Sequence, residues 1–451
     1  MGIVVGILIG LIAFAVLGGL QWYVWRRVVR DTTTRGTGAR RAGTAVFVVG
    51  PLLMVGALVS GRTAPFWLQK LLAWPGYLWM ALSMYLLLSL LVGELVRPVL
   101  RRALARRDRG QGRDQGVGEP DEARAEVTVG VCAGVGATSG ADPAPGTPAP
   151  GAQTPDAAAP GTPVAADAPS KAPERPGPSR RVFVSRVVAG AAVVAAAGTV
   201  GYGSYGVLRG PSVKRVTVPL AKLPRSTHGF RIAVVSDIHL GPILGRSFSQ
   251  RVVDTINSTR PDLIAVVGDL VDGSVANLGP AAAPLAGLEA RHGAFFVTGN
   301  HEYFSGAEEW VDEVRSLGLH PLENARTELP GFDLAGVNDV SAESEGQGPD
   351  YAKALGDRDP ARASVLLAHQ PVMIHDAVRH GVDLQLSGHT HGGQLWPGSL
   401  IAELANPTVA GLERYGDTQL YVTRGAGAWG PPVRVGAPSD ITVVELASKQ
   451  A

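Results

Sequence analysis

Apolar positions are distributed differently in the two halves of the chain. The first half contains long uninterrupted apolar runs, at residues 2–25, 45–61, 71–93 and 187–208. About 20 apolar residues are needed to cross the hydrocarbon core of a bilayer, so the first and third runs predict transmembrane helices. The second run is shorter and contains Pro51, and the fourth consists mainly of Ala, Gly and Val. We predict a three-span region over residues 1–98 and a fourth span or signal-anchor over residues 181–210, with a buried core helix as the alternative for each run.

Arginines flank these runs unevenly and predict their orientation. Two dense clusters follow the first and third runs: Arg26, Arg27, Arg30, Arg35, Arg40 and Arg41, then Arg97, Arg101, Arg102, Arg106, Arg107, Arg109 and Arg113. The connection between the second and third runs carries only Arg62 and Lys70. Because basic clusters stay on the cytoplasmic side of membrane spans, we predict a multi-pass cell-membrane protein whose C-terminal domain is extracytoplasmic. Arg180 and Arg181 either add to this flanking charge or resemble a twin-arginine export signal.

Residues 99–180 have a different composition from the runs on either side. Residues 141–178 are dense in Pro, Ala, Gly, Thr and Asp and contain almost no aromatic or branched side chains. Such a segment buries too little apolar surface to offset the entropy of ordering it. We predict a disordered linker here.

Short apolar runs alternate with helix-like stretches in residues 211–451. The strand-length runs are 231–236, 263–267, 294–298, 334–337, 365–368, 384–387, 420–423 and 441–446. Helical windows lie between several of them, at residues 248–259, 308–317 and 371–380. This alternation predicts one layered α/β domain, and about 240 residues are enough for a substantial core.

Polar side chains follow five of the predicted strands, where each strand ends. They are Asp237 and His239, Asp269 and Asp272, Asn300 and His301, His369, and His389 and His391. Ligands of α/β sheets bind outside the carboxyl ends of the strands, so we expect these groups to meet at one edge. Oxygen and imidazole donors without thiolate suit Mn, Fe, Zn or Mg ions. The single cysteine, Cys132, excludes a Cys-rich zinc site, and the net charge of only +2 gives no reason to expect a nucleic-acid partner.

These motifs, in this order, resemble the calcineurin-like metallophosphoesterases. The set is Asp-x-His, Gly-Asp-x-x-Asp, Gly-Asn-His-Glu, a later strand-end His and Gly-His-x-His, spread over residues 231–446. The strings at residues 386–396 and 421–434 are similar to the exported or membrane-bound bacterial branch of that family. The resemblance implies an α/β fold, a metallophosphoesterase-type β-sandwich flanked by helices, which here follows the N-terminal transmembrane region.

The resemblance also implies a role for each of the nine residues. Asp237, His239 and His391 would bind a first divalent metal ion, Asn300, His369 and His389 a second, and Asp269 would bridge the two. His301 would be the general acid at the leaving group, with Asp272 orienting its ring. Trp396, Arg424, Trp429 and Arg434 either rim the substrate pocket or anchor loops.

The implied activity is metal-dependent hydrolysis of a phosphate monoester, diester or pyrophosphate. Protein serine/threonine phosphatases have Arg after the second Asp of Gly-Asp-x-x-Asp, whereas Gly273 follows Asp272 here, which makes a protein substrate less favoured. The spans favour a cell-envelope or lipid-linked substrate, and no protein partner is predicted. The alternative is a membrane sensor or scaffold with an appended phosphoesterase domain, because three extra spans are more than an anchor requires.

Overall fold

The computed structural model describes residues 2–114 and 179–450. Its contacts divide the chain into two units, Met1–Pro98 with Arg181–Ala451, and Val99–Arg180. The first unit contains the N-terminal helices and the C-terminal α/β domain. Most of the predicted linker, residues 115–178, lies outside the described residues, whereas residues 99–114 continue a helix where the sequence predicted linker.

Four long helices correspond to the four predicted spans, and each is at least as long as its apolar run. They are α1 (Gly2–Trp25), α2 (Gly38–Thr63), α3 (Phe66–Asp114) and α4 (Arg180–Leu208). A short π-helical segment, Arg26–Arg30, follows α1. Among the described residues, three helical stretches are long and apolar enough to cross a membrane: Gly38–Gly61, Phe66–Arg106 and Arg180–Leu208. A crossing of the membrane by any of the four helices stays a prediction.

Small residues bring α2 and α3 together as a hairpin, with only Ala64 and Pro65 between them. A Cβ added to Gly76 of α3 would lie 2.5 Å from the carbonyl oxygen of Leu53 in α2. A Cβ on Gly50 of α2 would overlap the indole of Trp79 in α3. Close backbone approach through small residues is the usual way for membrane helices to pack, because lipid tails compete equally well for large apolar side chains.

The C-terminal half contains twelve strands and seven helices. The strands are β1 (Ser212–Leu220), β2 (Phe230–Val235), β3 (Leu263–Val267), β4 (Ala294–Val297), β5 (His320–Pro321), β6 (Ala325–Leu329), β7 (Phe332–Gly336), β8 (Ala363–Leu367), β9 (Leu384–Ser387), β10 (Gly411–Tyr415), β11 (Thr418–Val422) and β12 (Asp440–Ser448). The helices are α5 (Arg246–Ser258), α6 (Val275–Ala282), α7 (Asn300–Ser305), α8 (Ala307–Ser316), α9 (Tyr351–Leu355), α10 (Ile374–Arg379) and α11 (Gly398–Ala405).

The strands form two six-stranded sheets, in the orders β1-β12-β2-β3-β4-β5 and β10-β11-β9-β8-β7-β6. One apolar cluster contains side chains of both sheets, such as Ile232 and Val267 from the first and Leu334 and Leu386 from the second. A second cluster packs α5, α6 and α8 on the first sheet, and a third packs α9 and α10 on the second. The predicted α/β fold, a β-sandwich flanked by helices and preceded by apolar helices, is confirmed.

The four strands that the apolar pattern missed are the four sheet edges, β1, β5, β6 and β10. Edge strands have one unpaired side, and their side chains are less completely buried than those of central strands. In β10 no residue is buried, whereas every residue of its neighbour β11 is. Hydrophobic patterning therefore detects the central strands and overlooks the edges.

Candidate metal centre

The loops that follow β2, β3, β4, β8 and β9 converge at one end of the two sheets. β2, β3 and β4 are parallel neighbours in the first sheet, and β8 and β9 are parallel neighbours in the second, so both sheets direct their carboxyl ends here. The nine residues predicted from the sequence all lie in these loops or at the start of α7. The structure brings their side chains into one network of contacts.

Four donor atoms face one another in a first cluster. His391 Nε2 lies 3.0 Å from His239 Nε2 and 3.3 Å from Asp237 Oδ1. Asp269 Oδ2 lies 3.8 Å from His239 Nε2. Ligands at about 2.0–2.1 Å around a tetrahedral metal ion are roughly 3.4 Å apart, so this spacing fits a bound metal ion.

A second cluster is formed by Asp269, Asn300, His369 and His389. His369 Nδ1 donates to the carbonyl oxygen of Val267 at 2.8 Å, which leaves Nε2 pointing away from the backbone. That buried Nε2 has no hydrogen-bond partner and lies 3.1 Å from Asp269 Oδ2. Two lone pairs so close repel unless a cation or a proton lies between them. His389 Nδ1 is 3.0 Å from Asn300 Oδ1, so a divalent ion in this cluster would find nitrogen and oxygen donors together.

The electrostatics of the two clusters favour ionised carboxylates, whereas the four histidines differ. Burial raises the pKa of Asp237 and Asp269, but the neighbouring imidazoles outweigh it and hold both carboxyls well below their usual range. Burial lowers the pKa of His391 to about 4, and burial together with His369 lowers that of His389. Ionised carboxylates and neutral imidazoles are the forms that coordinate a cation.

Burial lowers the pKa of His239, but Asp272 and the other nearby carboxylates outweigh it and raise this pKa to about 9. Asp269 in the same way holds the pKa of His369 well above its usual value, so a bound cation would have to displace a proton from each of these two rings.

Backbone strain is concentrated at the same residues. Eight described residues other than glycine have a positive φ, and five of them are predicted metal ligands: Asp237, His239, Asp269, His389 and His391. The left-handed region costs a non-glycine residue about 1–3 kcal/mol and persists where the surrounding structure imposes it, often at functional sites. The turns also require a close approach, since a Cβ on Gly388 would overlap Ser236 Oγ and Asp237 Oδ2.

Glu302 connects the ends of β3 and β4. It belongs to the Gly-Asn-His-Glu motif, but the sequence predicted no role for it. Its fully buried carboxylate accepts backbone N–H groups from Asp269 at 2.9 Å, Leu270 at 2.8 Å and Gly299 at 2.6 Å. Burial and then the charge of Asp269 raise the pKa of Glu302 to about 7. No local pattern predicts this role, because it depends on β3 and β4 ending side by side.

Asp272 contacts two histidines with one oxygen. Its Oδ1 lies 2.7 Å from His301 Nδ1 and 2.9 Å from His239 Nδ1. Burial raises the pKa of Asp272, but His239 and His301 together hold it well below its usual range, so the carboxylate accepts both N–H groups. The Nε2 atom of each ring therefore points away from Asp272. This orientation is expected for His239 as a metal ligand and for His301 as a proton donor.

Of the four residues expected either to rim the pocket or to anchor loops, one lines the cleft and another anchors loops. Trp429 lines the cleft, and its ring centre lies 5.8 Å from that of His301. Arg434 is buried and donates to the carbonyl oxygens of Gly427 at 2.7 Å and His391 at 3.1 Å, so it anchors loops. Trp396 and Arg424 are not among the residues that line the cleft.

A cleft of about 930 Å³ opens over both clusters. The domain contributes five of the seven predicted ligands to one wall, all except Asp237 and His369, together with His301, Phe304 and Trp429. The opposite wall comes from the α2–α3 hairpin, through Leu58, Val59, Gly61, Gln69 and Tyr77. Sequence patterns did not indicate that the apolar helices contribute to the site.

Known sequences support the family resemblance. A family profile described as calcineurin-like phosphoesterase matches residues 230–393. An uncharacterized metallophosphoesterase of Bacillus subtilis is 30% identical over 280 residues, which cover 60% of this chain and 98% of that one. The chain belongs to the calcineurin-like metallophosphoesterase family.

Relatives of this metallophosphoesterase occur in bacteria and animals. An uncharacterized metallophosphoesterase of Helicobacter pylori is 37% identical over 275 residues, which cover 60% of this chain and 74% of that one. A transmembrane protein with metallophosphoesterase domain from Danio rerio is 40% identical over 264 residues, 55% of this chain. The match spans 60% of the zebrafish protein, less than two thirds of its length. A solved dimetal phosphatase from Danio rerio is 12% identical with a TM-score of 0.35, covering 49% of this chain and 93% of that one.

Proposed function

We propose that the protein is a membrane-anchored phosphoesterase that uses two divalent metal ions to hydrolyse a phosphate monoester, diester or pyrophosphate at the cell envelope. The observation that carries the proposal is the position of Asp269 Oδ2, 3.1 Å from His369 Nε2 and 3.8 Å from His239 Nε2. One carboxylate oxygen thus borders both clusters, as a bridging ligand would. Asp237, His239 and His391 would hold the first ion, and Asn300, His369 and His389 would hold the second.

The chain's own side chains supply the positioning and the proton. Bound metal ions would polarise the phosphoryl group and activate the attacking water. His301 lines the cleft, and Asp272 holds its Nδ1–H, so the protonated ring presents Nε2–H to the leaving-group oxygen. A positioned general acid of this kind contributes about 10²–10⁴-fold to the rate.

The helix arrangement supports the predicted topology. α4 leads into β1 after Leu208, so the domain begins at the C-terminal end of α4. The α2–α3 turn is at the same end, because Phe66 packs against the core of the domain. At the other end, Arg27 pairs with Glu94 at 2.9 Å, and Arg186 donates to the carbonyl oxygen of Thr32 at 3.0 Å. The arginine-rich ends therefore lie together, at the opposite end of the helices from the α4–β1 connection, as expected for an extracytoplasmic domain. The domain also reaches along α3 as far as Tyr85, which donates to the carbonyl oxygen of Trp396.

The central test replaces the shared carboxylate. In the full chain purified in detergent with Mn²⁺, Asp269→Asn should lower hydrolysis of a 4-nitrophenyl phosphodiester by roughly 10³-fold or more, since both metal sites lose a ligand. Metal content per chain, measured by mass spectrometry, should fall in parallel. Asp417→Asn, at a fully exposed side chain, is the matched control and should match the wild type.

Two outcomes would overturn the proposal. Wild-type turnover and metal content in Asp269→Asn would remove the shared-metal mechanism. A wild-type chain that binds metal but hydrolyses no phosphate ester would favour the sensor or scaffold function instead. The side of the membrane is tested separately with reporter fusions after Ala451. An alkaline phosphatase fusion should be active and a green fluorescent protein fusion dark, whereas the reverse result would place the domain in the cytoplasm.

A further inference from the structure

The wall of the cleft opposite the predicted ligands is made by helices that have the length and composition of membrane spans. Leu58, Val59 and Gly61 belong to α2, and Gln69 and Tyr77 belong to α3. The cleft is therefore continuous with a surface that lies in or beside the hydrocarbon layer. A substrate held in such a layer reaches the metal clusters without crossing water.

The mouth of the cleft is apolar on the domain side as well. Phe304 and Trp429 are 68% and 60% exposed, and both rings contact His301, with ring centres 5.7 and 5.8 Å away. Exposed aromatic rings at a cleft mouth suit a partner that is itself apolar. Trp429 is held in place because Gln394 bonds to both its N–H and its carbonyl oxygen.

A nearby part of the domain also presents apolar side chains to its surroundings. α11 has no buried residue, and Leu400, Ile401 and Leu404 on it are 59%, 71% and 88% exposed. The segment just before it is attached to α3, since Tyr85 donates to the carbonyl oxygen of Trp396 at 3.0 Å. An exposed apolar helix next to membrane helices is suited to lie in the interface of a bilayer.

The described lining of the cleft changes in character along its length. It offers predicted metal ligands, among them His239, Asp269 and His391, at one end and mainly apolar side chains, such as Leu58, Phe304 and Trp429, at the other.

We propose that the substrate is a lipid phosphoester whose phosphate binds at the two metal clusters while its apolar chain lies along Leu58, Val59 and Tyr77 of the α2–α3 hairpin. This inference rests on the proposed phosphoesterase function and adds the substrate class. Pulling an acyl chain from a bilayer into water is unfavourable for every CH₂ that becomes hydrated. A wall made by the membrane helices themselves removes most of that cost.

The test is a chain-length series on the full protein held in amphipol with Mn²⁺. The substrates are alkyl 4-nitrophenyl phosphodiesters from methyl to octyl, each below its micelle concentration. The value of kcat/KM should rise with every CH₂, by up to about fourfold per group, the equivalent of about 0.8 kcal/mol. A flat or falling series, or faster hydrolysis of a thymidine 4-nitrophenyl phosphodiester than of the octyl ester, would overturn the lipid assignment.

Variants locate the chain-binding surface. Leu58→Ser and Tyr77→Ser should lower the octyl-to-methyl ratio of kcat/KM by about tenfold each. Leu52→Ser, on the same α2 helix at a position 66% exposed and outside the cleft, is the matched control and should keep the wild-type ratio. An unchanged ratio in both cleft variants would contradict the assignment. If no ester of the series is hydrolysed, the phosphoesterase function itself fails, whereas equal hydrolysis of all esters defeats only the lipid inference.

Discussion

The two walls of the cleft are held in place by different kinds of interaction. On the domain wall, each predicted ligand follows a strand, and five of them have strained backbone conformations imposed by the surrounding turns and hydrogen bonds. On the hairpin wall, α2 and α3 meet through glycines that bring Gly76 close to Leu53 and Gly50 close to Trp79. Chemistry at a phosphoryl group needs metal ligands and proton donors placed to a fraction of an ångström. Recognition of an apolar chain needs only a complementary surface that excludes water. Changes on the two walls should therefore separate catalysis from substrate preference.

Apart from the metal ligands, the largest effect is expected on the domain wall, at His301. His301→Ala should lower kcat by about 10²–10³-fold for a phenyl phosphodiester, because phenolate leaves poorly without a proton. The loss should be smaller for the 4-nitrophenyl ester, whose leaving group is stable as an anion. Steady-state kinetics with the two esters measure the difference, and His320→Ala on edge strand β5 is the control. Equal losses with both leaving groups would show that His301 does not donate the proton.

A smaller loss of metal affinity and turnover is expected at Glu302, which orients the ligand loops without being a predicted ligand. Glu302→Gln replaces a carboxylate that accepts three N–H groups by an amide that must turn a donor toward some of them. We expect metal affinity and turnover to fall by about 10–100-fold, as for other groups that orient metal ligands. Metal titration followed by activity measures this loss. Glu308→Gln, in the first turn of α8, should behave like the wild type, and a Glu302→Gln protein with normal affinity would contradict the orienting role.

The smallest effect is expected on the hairpin wall, and it should be selective. Gly76→Ala places a methyl group 2.5 Å from the carbonyl oxygen of Leu53, so α2 and α3 must move apart. The octyl-to-methyl ratio of kcat/KM should fall by about threefold as the chain-binding surface shifts. Gly56→Ala meets only ordinary contacts with Leu72, the nearest at 3.5 Å, and should keep the ratio. A parallel fall for both esters would mean that the hairpin supports catalysis and not chain recognition.

Much of the domain could be predicted from local patterns. The central strands β3 and β9 begin and end where their apolar runs do, and Asp237 and Asp269 follow β2 and β3 as expected. The edge strands β1 and β10 could not be detected, because a half-exposed strand lacks a continuous apolar signal.

Local patterns were enough to predict the fold class, the four apolar helices and the nine polar residues that follow strands, because each of these depends on neighbours along the chain. Contacts in the folded domain were needed to show that Asp269 lies between His239 and His369, that Glu302 joins two strand ends, and that α2 and α3 form a wall of the cleft. Those contacts join residues far apart in sequence, and side-chain packing between sheets and helices sets them without leaving a periodic trace in the chain.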